Sequence, residues 1–93
     1  MSIEHTFSKP VNFEGQEIKS IKMDLDSLTG RDISQVKSQW AHAGNFSPVP
    51  AADTDFCVMV AARASKQPLE LFDVMPAKEY LGITQKVSNF LMG

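Results

Sequence analysis

At Thr29 the spacing of apolar residues changes, and that change constrains this chain more than any other feature. Before it, apolar residues recur every second position. Ile3, His5 and Phe7 alternate with polar neighbours, and Ile21, Met23 and Leu25 alternate with Lys22, Asp24 and Asp26. Period two is the mark of a half-buried strand. After Thr29, Ile33, Val36 and Trp40 fall at i, i+3 and i+7, one stripe of a helix. Strands first and helices afterwards predict an α+β fold: an N-terminal β-hairpin or small antiparallel sheet followed by three to four packed helices.

The strand region, residues 1–27, carries its own turn. Val11 and Phe13 lead into Glu14-Gly15, and Ile18 opens the return. Ser20 shifts the phase between Ile18 and Ile21, which predicts a bulge there, and Pro10 belongs near a sheet edge. A helix is expected over 29–43, stopped by Gly44-Asn45. A proline-containing linker covers 44–52, and a helical region covers 53–92. Within it, "FCVMVAARA" is apolar nearly all round, which fits a helix buried in a bundle or at an interface and suggests self-association. "LELFDVM" suits a short helix. The last helix is expected from Pro76 to about Met92, with a stripe of Tyr80, Ile83, Thr84, Val87, Phe90 and Leu91. Gly82 inside it costs about 1 kcal/mol relative to alanine, so a close contact is expected there. At 93 residues one domain, 1–93, is the default.

The junction itself, "DLDSLTGRDI", invites a metal-binding reading that fails on spacing. Counted from Asp24 as a calcium loop, the first two oxygen positions are filled. The fifth, sixth and twelfth hold Leu28, Thr29 and Gln35, where an oxygen ligand, glycine and glutamate are required. A helix start fits better. Thr29 can accept the backbone N–H of Asp32, and Asp32 can accept that of Thr29, a capping box with Leu28 and Ile33 as its hydrophobic staple.

No catalytic, cofactor-binding or metal-ligating set emerges. His5 and His42 have no spacing that links them to Cys57 or to a carboxylate in a metal or triad pattern. Cys57 is the single cysteine and reads as a small buried hydrophobe with an inert thiol. The net charge of −2, with signs interspersed, argues against nucleic-acid binding. The connector after Trp40 is also longer than the turn of a helix-turn-helix, about three or four residues. "MSIEHTFSK" does not read as a signal peptide, and no apolar run suits a bilayer. A surface for partners remains. Trp40, Phe46, Phe72, Phe90 and Met92 exceed what a small core comfortably holds. The candidate partner-binding residues are therefore Trp40, Phe46, Phe72 and Phe90. The helical stripes pull Trp40 and Phe90 toward the core. Phe46, in the proline-containing connector, is the expected exposed aromatic.

"KPVNFEGQEIKSIKMDLDSLTGRDI" and "DTDFCVMVAARASKQPLELFDVMPAKEYLGITQKVSNFL" together resemble the Mu-like family of phage tail assembly chaperones. The family opens with a "pv-F-dG" hairpin and "LTGrDl". It continues with an apolar helix ending in "AAra", a short "p-x-e-l-x-l-pa-d" segment and a closing "F-L" helix. The resemblance runs from Lys9 to Leu91 and is weakest over "AHAGNFSPVPAA". It implies a non-enzymatic protein of the host bacterial cytoplasm that binds the tape-measure protein, keeps it soluble and presents it to tail-tube subunits. It also implies a frameshift-extended form of the same chain as a partner. It implies no cofactor, no nucleic acid and no membrane. The alternative reading is a structural tail or connector protein retained in the particle.

Overall fold

The computed structural model describes residues 2–45 and 47–93. Its elements are β1 (Ile3–Phe13), β2 (Gln16–Met23), a 3-10 turn (Leu25–Ser27), α1 (Gly30–His42), a second 3-10 turn (Pro50–Ala52), α2 (Thr54–Ser65), α3 (Leu69–Val74) and α4 (Ala77–Met92). The expected α+β order holds: a two-stranded antiparallel sheet, then four helices.

The hairpin turns on two residues, Glu14 and Gly15, both at positive φ (52° and 77°). Positive φ at both central positions matches the right-handed twist of the strands, as in type I′ turns. The expected bulge lies beside Ser20 but on the opposite strand. Thr6 pairs with Ser20 and Val11 with Ile18, so four residues of β1 (7–10) stand against one of β2 (Lys19). Pro10, which has no N–H for the ladder, sits inside this excursion. The sequence shows the change of phase on β2, while the extra residues that absorb it belong to β1.

Thr29 and Asp32 form the expected capping box: the Asp32 N–H donates to Thr29 Oγ1 at 3.3 Å, and the Thr29 N–H to Asp32 Oδ2 at 2.8 Å. Leu28 and Ile33 are half-buried against the core beside it. At the other end of α1, Asn45 donates to the Trp40 carbonyl through its backbone and its side chain. The connector is not featureless, since Pro50–Ala52 forms a 3-10 turn that delivers Asp53 as the cap of α2. Asp53 Oδ1 accepts the Phe56 N–H at 3.1 Å and also the Trp40 indole N–H at 3.2 Å. One carboxylate thus starts α2 and anchors α1 to it. Trp40 lies edge-on to Phe56, with ring centroids 5.6 Å apart.

The apolar α2 is the centre of the molecule. It packs against α4, α1, β2 and α3, and the backbone at its end accepts the Asp24 N–H from the end of β2. Its faces are consumed within the chain, so its all-round apolarity gives no reason for self-association. That ground for the expectation is corrected here. Val60, Ala61, Leu71, Ile83, Val87 and Met23 are fully buried around it.

In α4 the expected stripe is buried at Ile83, Thr84 and Val87 and half-buried at Tyr80 and Leu91. Phe90 departs from it, at 40% exposed. It belongs to the last turn of α4, where Leu91 alone is still half-buried. Helical periodicity sets the direction of a side chain, but not whether another element reaches far enough to cover it.

Candidate functional site

Among the described residues, two places on the surface combine shape with chemistry. The first is a groove of about 220 Å³ where α1, α2 and the start of α3 meet, lined by Val36, Gln39, Met59, Ala62, Arg63, Gln67 and Leu69. Local chain geometry builds it. Lys66 ends α2 in the left-handed conformation (φ 57°), and the Gln67 N–H returns to the Ala62 carbonyl. Pro68, which cannot continue a helix backwards, then starts α3 in a new direction. The turn leaves Leu69 41% exposed at the groove edge. The floor is apolar, with Val36 and Ala62 buried. Half-buried Met59 lines the same groove, and its flexible thioether can adapt to differently shaped apolar surfaces.

The polar side of this groove is held in place. Arg63 Nε donates to Asp32 Oδ1 at 2.9 Å, and its Nη2 donates to Gln35 Oε1. Asp32 therefore caps α1 and ties that end to the last turn of α2. The Thr29 N–H, then Arg63, keeps its carboxyl below the usual aspartate range. The "TGRD" segment has a tertiary role as well as a capping one.

The second place lies between β1 and α4. His5 is buried, 74 positions from Glu79 in sequence, with its Nε2 3.1 Å from Glu79 Oε1. Lys86 Nζ approaches His5 Nδ1 at 2.9 Å. An ammonium only donates, so Nδ1 accepts and Nε2–H donates to Glu79. The bulge supplies the remaining partner: the Ser8 N–H donates to Glu79 Oε2 at 2.7 Å. Gly82 completes the fit, since a Cβ there would lie 3.2 Å from His5 Cε1. This is the close approach that justifies a glycine in mid-helix. A small cleft of about 200 Å³ opens beside it, lined by Ser8, Lys9, Pro76, Lys78 and Glu79.

The cluster makes a testable statement about acid stability. The Ser8 N–H, then His5, holds the Glu79 carboxyl below its ordinary 4.5, against the opposing effect of burial. A carboxyl whose pKa is lower in the folded state stabilises the fold above its unfolded value. That contribution is lost as pH falls through the folded value. Glu79→Gln is therefore expected to be less stable at neutral pH and to show a shallower decline below about pH 4.5. The slope does not vanish, because Asp32 titrates in the same sense. Thermal melts across the acid range check this; an unchanged acid limb would count against the Glu79 contacts.

The four aromatic candidates are not brought together. Trp40 and Phe72 are buried, at 3% and 1% exposure, so neither is open to a partner; for Trp40 this is the core placement its helical stripe favoured, and Phe72 is corrected from surface to core. Trp40 is taken by Phe56 and Asp53, and Phe72 holds α3 against the core. Phe90 is exposed on α4 but does not line the groove, and Phe46 lies outside the described residues. Cys57 is buried as expected. Burial, then the charge of Asp53, pushes its thiol up to about 11. Among the described residues no three His, Cys, Asp or Glu side chains gather as a metal site, and no helix is long and apolar enough to cross a membrane. The groove-lining Met59 and Leu69 and the Glu79 cluster escape sequence reading because their partners are distant in sequence. Gly82 is the one local sign of the cluster.

In comparisons with known proteins, no family model, no curated protein and no solved structure matches the chain.

Proposed function

We propose that this chain is a non-enzymatic tail assembly chaperone that binds a tape-measure protein in the host cytoplasm and keeps it soluble until the tube assembles. The motif order from Lys9 to Leu91 supports the reading, and the observation that carries it is the Met59–Leu69 groove. An apolar floor with a pinned polar rim suits one or two large side chains from the apolar face of a helix. A tape-measure protein is long and helical, so it offers such side chains repeatedly. Many copies holding one chain at small sites gain by multivalency what each site lacks in size.

Co-expression tests this. With the tape-measure protein encoded beside it, the wild-type chain is expected to move that protein into the soluble fraction. Leu69→Asp adds an acid to the first turn of α3, where the helix dipole favours it, so the fold is retained. Losing a buried leucine contact removes about 1.5–3 kcal/mol, or on the order of tenfold or more in affinity. Equal insolubility of the tape-measure protein with and without this chain would sink the proposal. Stoichiometric presence of the chain in purified particles would favour the retained-component alternative.

A further inference from the structure

Among the described residues, the polar side chains on the outer face of α4 bond only along their own helix, Gln85 to Asn89 and Ser88 to Met92. Turned away from its buried Ile83 and Val87, the exposed Leu81 and Gln85, the half-buried Ser88 and the exposed Met92 follow one another at spacings of four, three and four, a single helical stripe. The stripe holds no charge. Its two large apolar members, Leu81 and Met92, are 55% and 60% exposed.

The stripe is symmetric in pattern, apolar-polar-polar-apolar at spacings of four, three and four. Leucine and methionine stand at the ends, and an amide and a hydroxyl stand between them. A two-fold axis passing between Gln85 and Ser88 turns the stripe onto itself. Leu81 then meets the second copy's Met92, and Gln85 meets the second copy's Ser88. A surface that complements itself under a two-fold rotation is what an isologous dimer requires. We infer that α4 pairs antiparallel with α4 of a second copy of this chain through this stripe.

Charge supports the antiparallel sense. α4 has no basic residue in its last turn, so its C-terminal carbonyls, the negative end of the helix dipole, lack a cation from their own helix. Lys78, exposed in the first turn on the flank of Leu81, is carried by this pairing to the C-terminal end of the second copy's α4. The area sets the strength. A helix of 16 residues is about 24 Å long, and one such face buries less than the roughly 1,200–2,000 Å² of a stable interface. The dimer is therefore weak and concentration-dependent. The pairing does not rest on the identity of the partner proposed above.

Sedimentation equilibrium of the full chain, from micromolar to millimolar concentration, tests it. The wild type is expected to rise from one mass toward two. Leu81→Lys and Met92→Glu, both at exposed positions that leave the circular dichroism unchanged, each weaken pairing by roughly tenfold or more. An equimolar mixture of the two variants is expected to pair again. In the mixed dimer the introduced lysine faces the introduced glutamate across the axis, and the remaining Leu81 and Met92 face each other. A wild type that stays monomeric throughout overturns the inference. Self-association undiminished by either variant, or a mixture no more associated than its components, overturns it equally.

Discussion

Phe72→Ala is expected to lower stability by about 3–5 kcal/mol, the range for truncating a buried aromatic without full collapse of the cavity. A chain of 93 residues has roughly 5–14 kcal/mol in total at roughly 0.05–0.15 kcal/mol per residue, so the loss is a large fraction of the whole. The position explains the size of the effect. α3 has six residues, too few to form a helix in isolation. It is held by Leu71 and Phe72, which are 0% and 1% exposed. Removing one of two anchors loosens the whole turn, including Leu69 at the edge of the groove. Urea unfolding should show a lower midpoint with a similar slope. If Phe72 were instead a surface anchor for a partner, the variant would keep its midpoint and lose only binding. That outcome would contradict its placement in the core.

Asp53→Ala ranks second, at about 1.5–5 kcal/mol. Loss of an aspartate cap typically costs about 0.5–2 kcal/mol, and leaving the Trp40 indole N–H without its acceptor adds about 1–3 kcal/mol. Both losses come from the same oxygen, Oδ1. Asp53→Asn keeps an oxygen in that place and a residue suited to the cap. It is therefore expected to lose less than about 1 kcal/mol. Thermal unfolding followed by tryptophan fluorescence separates the two variants. If the asparagine variant falls as far as the alanine variant, the negative charge carries the effect rather than the shared acceptor.

What was legible in the sequence is what depends on near neighbours. The change of period at Thr29, the Thr29–Asp32 box, the Glu14-Gly15 turn and the stop after His42 are each written within a few residues. Gly82 was legible as a question, because a glycine in mid-helix demands a close neighbour, but the neighbour, His5, is at the other end of the chain. The side of the bulge was not legible, because a phase change on one strand does not say which strand holds the extra residues. The apolar circumference of α2 fitted burial inside one chain as well as burial between chains. The packing of four elements around it decides for the former. Phe90 sits on the predicted stripe yet is exposed, because coverage is a property of the whole fold. The groove is of the same kind: Met59 and Leu69 come together only after Lys66 and Pro68 have reversed the chain.

The contacts between β1 and α4 bear on the time course of folding. Ser8 and Glu79 are 71 positions apart, and His5 and Lys86 are 81 apart. Closing so long a loop costs only about 0.6 kcal/mol more than closing one half as long. Even so, contacts of this separation slow folding when the transition state must include them. The helices have local signals and α2 as a common centre, so they can assemble first, with the N-terminal strand seated on α4 afterwards. Changes at Glu79 or Gly82 are then expected to act mainly on how fast the native state opens, and little on how fast it forms. On that order of assembly, unfolding is expected to begin with the release of β1 from α4.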